Sequence, residues 1–128
     1  MKIEHIAIWT SDLEKMKDFY LHFFKLESNE KYYNPKKEFS SYFLSFEEGA
    51  RIELMHRPDI SEFMDNMDAQ LGLTHFDLSV GSKEKVDALT ETIRKNGFKV
   101  IGEPRTTGDG YYESVIADPE GNLIEITE

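Results

Sequence analysis

The sequence predicts an α+β protein made of two copies of one βαβββ module. Residues 4–8 (EHIAI) are similar to residues 74–78 (THFDL), and residues 48–54 (EGARIEL) are similar to residues 120–126 (EGNLIEI). Each first segment precedes a stretch with apolar residues at helical spacing, and each second segment ends a run of short β-type segments. Because repetition at matching positions indicates a repeated structural unit, we interpret the chain as two modules.

The chain of 128 residues has the size of one ordinary domain. We expect a single domain over residues 1–128, with a first module at about 1–56, a linker at about 57–72 and a second module at about 73–128. Half of such a chain buries little apolar surface by itself, so each module alone would be marginally stable.

The composition excludes several classes of function. The formal net charge is -10 and the pI is about 4.8, so we expect no nucleic-acid partner, because affinity for phosphate backbones comes from clustered Lys and Arg. No cysteine is present, which removes disulfides, thiolate metal ligands and cysteine nucleophiles. Charged residues interrupt the apolar residues at the amino terminus, so we expect no secretory signal, no membrane partner and a cytoplasmic location.

The first module begins with a predicted strand over 2–10, whose His5 lies on the face opposite the aliphatic residues. Residues 11–14 (SDLE) have the form of a capping box, and apolar residues then recur at helical spacing, which predicts a helix over 11–24. The segments that follow predict three strands, at 27–33, 39–46 and 51–55.

The linker 57–72 lacks strand alternation and carries apolar residues at roughly helical spacing, so we expect a short helix within it. The second module should begin with a strand over 74–80, followed by a helix that Ser82 caps and Gly97 ends. A mobile loop is expected over 102–110. The remaining segments predict three strands, at 98–101, 111–117 and 122–127.

The repeated histidines and glutamates are the candidate functional residues. A lone histidine or glutamate on a strand is most often an ordinary polar residue, but here both recur at matching positions in the two modules. Two imidazoles and two carboxylates suit one divalent metal ion, such as nickel, zinc, cobalt, manganese or ferrous iron. The predicted metal ligands are His5, Glu53, His75 and Glu125.

For other polar and aromatic residues the sequence gives weaker evidence of a functional role. His22 and His56 have no counterpart in the repeat, and we interpret both as structural or peripheral. Arg51 lies two positions before a predicted ligand, where it could balance the charge of that acid, reach an anionic substrate or be solvated. The tyrosine pair at 111–112 is either the rim of a pocket or ordinary strand packing.

Taken together, these segments resemble the vicinal oxygen chelate superfamily, which includes glyoxalase I, extradiol dioxygenases and the bleomycin resistance proteins. The resemblance covers essentially the whole chain and is closest to short bacterial glyoxalase I-like proteins. It implies a metal-centred cleft formed by paired βαβββ modules. The segments that carry it are 5–8 (HIAI), 18–20 (DFY), 52–54 (IEL), 73–76 (LTHF) and 118–121 (DPEG).

The resemblance also implies a chemical role for the four predicted ligands. They match the positions at which bacterial-type glyoxalase I holds its metal ion, whereas extradiol dioxygenases typically use two histidines and one glutamate. We therefore expect a lyase or isomerase that transfers a proton on a small substrate chelated through vicinal oxygens. Glu125 or Glu53 would be its catalytic base.

Two positions depart from the glyoxalase I pattern. That family carries Arg four residues after the first His and Asn four residues after the first Glu, and both hold glutathione. In this sequence the two positions are Trp9 and Arg57. We therefore expect the metal chemistry to be retained and the recognition of the thiol to be altered.

The alternatives to this enzyme are a non-catalytic protein that binds a metabolite or antibiotic, as bleomycin resistance proteins do, and an epimerase or dioxygenase of the same superfamily. The non-catalytic relatives generally lack the metal ligands, so the intact set favours the enzyme. Since sites in the superfamily also form between subunits, we expect a homodimer. In it, His5 and Glu53 would meet His75 and Glu125 of the partner subunit.

Overall fold

The computed structural model describes residues 1–60 and 72–128. The chain divides into two compact units, Met1–Phe63 and Met64–Glu128. The short helix predicted in the linker lies mainly on 61–71, outside the described residues. Neither helix in the described part of the chain is long and apolar enough to cross a membrane.

The first unit has one helix and five strands among its described residues. In chain order they are β1 (His5–Trp9), α1 (Leu13–Phe24), β2 (Glu27–Ser28), β3 (Tyr32–Asn34), β4 (Phe39–Ser45) and β5 (Arg51–His56). The strand order of the sheet is β1-β5-β4-β2, and β3 also pairs with β4. β1 and β5 are parallel, whereas the other pairs are antiparallel.

Helix α1 covers one face of this sheet. Its N-cap is Asp12, whose side chain accepts a hydrogen bond from Lys15 N at 3.0 Å, one residue after the first residue of the predicted capping box. It ends at Lys25, which adopts a left-handed conformation with φ of 53°. The apolar stripe of the helix is buried and consists of Leu13, Met16, Phe19, Tyr20 and Phe23.

The second unit repeats this design with one helix and four strands in the described residues. They are β6 (His75–Ser79), α2 (Lys83–Lys95), β7 (Val100–Thr106), β8 (Tyr112–Ala117) and β9 (Leu123–Thr127), and the sheet order is β6-β9-β8-β7. Ser82 caps α2 as predicted, and Gly97 follows its end with φ of 83°. The α+β class and the βαβββ order inferred from the repeat are thus confirmed in both units.

The predicted strand over 27–33 is divided into β2 and β3, which pair with different parts of β4. Asn29 lies between them. Its backbone N–H donates to Phe43 O at 3.2 Å, and its side-chain oxygen accepts from Phe43 N at 2.7 Å. The side chain thereby takes the place of a backbone partner, which interrupts the strand.

The predicted loop over 102–110 was wrong for residues 102–106, which belong to β7. Gly102 and Pro104 are unfavourable in a regular central strand, but both are tolerated in an irregular strand at the edge of a sheet. β7 is such a strand, since it pairs with β8 alone and its register shifts on either side of Gly102. A Cβ at Gly102 would lie 3.2 Å from Val115 Cγ2, so glycine permits the close approach of these two strands.

Glu14 connects α1 to the sheet of the first unit. Its carboxylate accepts hydrogen bonds from Lys17 Nζ and Lys31 Nζ, both at 2.9 Å, and from Tyr42 Oη at 3.1 Å. The bond from Lys17, followed by that from Lys31, lowers the pKa of Glu14 from 4.5 to about 2. Because the folded pKa is depressed, Glu14 stabilises the fold above pH 4.5, and this contribution is lost as the pH falls toward 2.

We expect Glu14→Gln to lower the free energy of unfolding by about 1 kcal/mol at neutral pH, near the upper end for exposed ion pairs. The expected change in free energy is kept this small because 51% of the Glu14 side chain is accessible, so solvent screens its ion pairs. Urea unfolding should show that the difference from wild type shrinks as the pH falls from 4.5 toward about 2. A difference that does not change with pH would contradict the assignment.

Candidate metal centre

The two units use the same strand register to bring a histidine next to a glutamate. β1 and β5 pair with Ala7 opposite Glu53, and β6 and β9 pair with Asp77 opposite Glu125. Each histidine lies two residues before the residue that faces the glutamate. Since alternate residues of a strand share a face, the histidine and glutamate of each unit lie on one face of neighbouring strands.

Within each pair, the histidine Nε2 and a glutamate oxygen, the atoms that could bind a metal ion, face each other. In the first pair, His5 Nε2 lies 3.7 Å from Glu53 Oε2. In the second pair, His75 Nε2 lies 3.3 Å from Glu125 Oε2. The two histidine side chains are 38% and 40% exposed, whereas the glutamates are 16% and 22% exposed. The imidazoles are therefore accessible while strand neighbours enclose the carboxylates.

These separations suit two ligands of one cation. Bonds of about 2.0–2.2 Å that meet at tetrahedral or octahedral angles place neighbouring donor atoms about 2.8–3.6 Å apart. The second pair lies within this range, and the first pair exceeds it by about 0.1 Å. Imidazole nitrogen and carboxylate oxygen are also the donor types that zinc and its transition-metal neighbours accept.

The structure brings together His5 with Glu53 and His75 with Glu125, one pair in each unit. Within residues 1–60 and 72–128, no group of three or more histidine, aspartate or glutamate side chains is placed to hold an ion. Convergence of the two pairs on one metal ion stays a prediction.

The first pair is surrounded by a closed series of side-chain contacts. Glu4 Oε2 lies 2.5 Å from His5 Nδ1, and Arg51 Nη2 donates a hydrogen bond to Glu4 Oε1. The Arg51 guanidinium lies 4.1 Å from the centre of the Phe43 ring, which contacts the His5 ring edge to face at 5.4 Å. Arg51 thus pairs with Glu4, an acid that the sequence analysis did not connect with it.

The second pair has more acidic surroundings. Glu113 is 8% exposed, and Arg105 Nη2 donates to its Oε1 at 3.3 Å. Burial first, and the negative charge of Glu125 second, raise the pKa of Glu113 above its usual value. Asp77, opposite Glu125 in the sheet, accepts hydrogen bonds from Thr127 Oγ1 at 2.9 and 3.1 Å.

Glu4 and Glu113 were missed by sequence reasoning because neither acid recurs at the matching position of the other module. The position that corresponds to Glu4 in the second module is Thr74, and the strand register relates Glu113 to Ser41 of the first. Two local signals were present. Glu4 directly precedes a predicted ligand, and Glu113 directly follows the tyrosine pair at 111–112.

The unrepeated histidines have contacts that suit the structural role expected for them. The His22 ring contacts Phe23 edge to face at 4.7 Å on α1. His56 Nδ1 lies 2.8 Å from Thr10 O, as a ring N–H that donates to a backbone carbonyl.

Tyr112, one of the tyrosine pair at 111–112, donates a hydrogen bond to Asp87 Oδ1 of α2 at 2.7 Å, so it packs against the helix.

Trp9 and Arg57, which depart from the glyoxalase I pattern, contact each other. The Arg57 guanidinium lies 5.1 Å from the centre of the Trp9 ring, and Arg57 Nε donates to Asp59 Oδ1 at 2.7 Å. The Trp9 ring also contacts Phe39 edge to face at 6.1 Å. Arg57 borders a surface hollow together with Lys37, Glu38, Pro58 and Asp59. This region of the first unit therefore combines an indole surface with two cations and two carboxylates.

Relatives of similar length exist among known proteins. Uncharacterized protein YqjT of Bacillus subtilis (strain 168) is 25% identical over 127 residues, which are 97% of this chain and 96% of that protein. A glyoxalase family protein from Enterococcus faecalis has a TM-score of 0.81 at 23% identity, with 99% of this chain and 97% of that chain covered. A lactoylglutathione lyase from Agrobacterium tumefaciens has a TM-score of 0.70 at 24% identity, with 98% and 92% covered.

The two solved structures share the glyoxalase-like fold with this chain, and at these identities they show the fold alone. The family model described as Glyoxalase/Bleomycin resistance protein/Dioxygenase superfamily matches residues 2–126. The chain belongs to the Glyoxalase/Bleomycin resistance protein/Dioxygenase superfamily.

Proposed function

We propose that the protein is a metal-dependent lyase or isomerase of the glyoxalase I-like type, which transfers a proton on a small substrate with vicinal oxygens. The observation that carries this proposal is the pair of histidine and glutamate donors that recurs in both units, with separations of 3.7 and 3.3 Å. Membership of the superfamily supports it, because the superfamily includes metal-dependent enzymes.

The four residues His5, Glu53, His75 and Glu125 would hold one divalent ion of nickel, zinc, cobalt, manganese or iron. Their two carboxylates would balance the two positive charges of the ion, and the neutral imidazoles would complete the donor set. A bound divalent cation would polarise the carbonyl oxygen of the substrate.

Glu125 is the proposed base, with Glu53 as its counterpart in the first unit. Its neighbours Ile124 and Ile126 are fully buried, so the strand holds the Glu125 carboxylate on the opposite, accessible face. With an α-hydroxy carbonyl substrate, the carboxylate would remove the proton from the hydroxyl-bearing carbon and return it to the former carbonyl carbon. The hydroxyl proton would pass to the other oxygen, so the product would be an isomer of the substrate. Base catalysis of this kind requires a carboxylate within hydrogen-bond reach of the transferred proton.

The substrate class is expected to differ from that of glutathione-dependent glyoxalases. Arg57 is held by Asp59 and lies against Trp9. An indole surface beside a partly neutralised guanidinium suits a planar or weakly anionic group better than the charged end of a glutathione chain.

The variant Glu125→Gln tests the proposed base and ligand. It keeps the shape of the side chain but removes its charge and basicity. We expect weaker binding of the metal, and a fall in turnover by about 10²–10⁴-fold, the range for loss of a general base. Elemental analysis, melting temperature with and without added metal, and a screen of vicinal oxygen substrates with several divalent metals provide the measurements.

The control for this variant is Glu103→Gln, which removes the same charge from the same unit. Glu103 accepts a hydrogen bond from Arg94 Nη2 of α2 at 2.5 Å, so it lies on the helix side of the sheet. Metal content should be unchanged in the control. Equal metal binding and equal metal-induced stabilisation in wild type and Glu125→Gln would refute the four-ligand site.

We expect the wild-type protein to isomerise the methylglyoxal–glutathione hemithioacetal poorly or not at all, because Trp9 and Arg57 replace the residues that hold glutathione in the related enzymes. A steady-state assay with metal-loaded protein measures this activity. The double variant Trp9→Arg with Arg57→Asn, which restores the pattern of that family, should gain activity. Robust turnover by wild type at physiological glutathione would overturn the expectation.

We also propose a homodimer in which the first pair of one subunit and the second pair of the other hold the same ion. Modules of this size bury little apolar surface by themselves, which favours association. Light scattering at micromolar concentration should give the mass of two chains. A monomer that still binds the metal would contradict a site shared between two subunits.

A further inference from the structure

In the first unit a carboxylate lies beside the histidine Nδ1, and the corresponding position before His75 in the sequence carries none. Glu4 lies between His5 and Arg51, with one oxygen 2.5 Å from His5 Nδ1 and the other accepting from Arg51 Nη2. The corresponding positions in the second unit are Thr74 and Leu123, which have neither a carboxylate nor a cation. Glu4 and Arg51 are thus specific to the first unit.

The contact between Glu4 and His5 selects one tautomer of the imidazole. An ionised carboxylate can only accept hydrogen bonds, so Nδ1 of His5 must be the donor. A neutral imidazole carries one proton, and its Nε2 is then left with a free lone pair. His5 Nε2 is the atom that faces Glu53 Oε2 at 3.7 Å. The nitrogen available to a metal ion is therefore the one on the side of the predicted second ligand.

Arg51 and Phe43 keep this arrangement in place. Arg51 binds the second oxygen of Glu4, which orients the carboxylate toward the imidazole. The guanidinium also lies over Phe43, and Phe43 contacts the His5 ring edge to face. Three side chains, those of Glu4, Arg51 and Phe43, thus restrain the rotation of the ring.

We propose that Glu4, oriented by Arg51, is a positioning residue for His5, which fixes its Nδ1–H tautomer and directs Nε2 to a divalent transition-metal ion shared with Glu53. This inference rests on the proposed function, since it assumes that His5 is a ligand. Carboxylates that orient a metal-binding histidine commonly contribute a factor of about 10–100 in metal affinity.

The tautomer is tested without metal. Two-bond ¹H–¹⁵N correlation spectra, recorded above the pH at which the imidazoles titrate, distinguish the two neutral forms. His5 should be the Nδ1–H form in wild type and should change toward the Nε2–H form, which free histidine prefers, in Glu4→Ala. His75 serves as an internal reference and should not change. An Nε2–H form of His5 in wild type would overturn the proposal.

The consequence is tested with zinc alone, by isothermal titration of wild type, Glu4→Ala and Glu4→Gln. Glu4→Ala should bind zinc about 10–100-fold more weakly, and Glu4→Gln, which keeps an acceptor oxygen, should lose less. The control Glu48→Ala removes an exposed acid from the turn before β5, at the same end of the first unit as Glu4. Its affinity should match wild type.

The possible results separate this inference from the proposed function. If wild type binds no zinc, the proposed metal site fails, and the spectra of the metal-free protein still decide whether Glu4 selects the tautomer. If wild type binds zinc and Glu4→Ala binds it equally well, the positioning role is wrong and the metal site stands. An equal loss of zinc affinity in Glu48→Ala would show that the effect comes from removing any negative charge at this end of the unit, and it would also refute the role of Glu4.

Discussion

Parallel pairing between the first and last strand of each module is the constraint on which the candidate site depends. Side chains alternate across a strand, so a slip of one residue would turn Glu53 or Glu125 into the core and would expose its aliphatic neighbours. Those neighbours, Ile52 and Leu54 in one unit and Ile124 and Ile126 in the other, are at most 2% exposed. Exposing two such side chains would cost about 3–6 kcal/mol, so the aliphatic residues fix the position of each acid.

The two units share one strand arrangement but place different side chains around their histidine–glutamate pairs. In the first unit, Glu4 and Arg51 surround the histidine with a charged network that restrains it. In the second, a buried acid, Glu113, lies on the glutamate's face of the sheet, and its pKa is raised chiefly by burial. Under the proposed function, the first unit would orient a metal ligand, whereas the second places further carboxylates near Glu125. This difference supports Glu125 over Glu53 as the group that exchanges protons.

The repeat in the sequence was sufficient to predict the two modules, both helices and the histidine–glutamate pairs. These features follow from periodicity and from matching positions, which a single sequence displays directly. The break at Asn29 was not predictable in this way, because it depends on a hydrogen bond between the Asn29 side chain and Phe43. The strand β7 was not predictable either, because its irregular sequence is tolerated only at the edge of the sheet. Glu4 was missed for a related reason, since its contact with Arg51 joins residues that are distant in sequence.

Diffraction from crystals grown with cobalt or nickel, with data collected at the absorption edge of the metal, tests the central claim most directly. We expect one anomalous peak that lies about 2.0–2.2 Å from Nε2 of both His5 and His75 and from one carboxylate oxygen each of Glu53 and Glu125. A metal ion bound elsewhere, with these four side chains unliganded, would contradict the account.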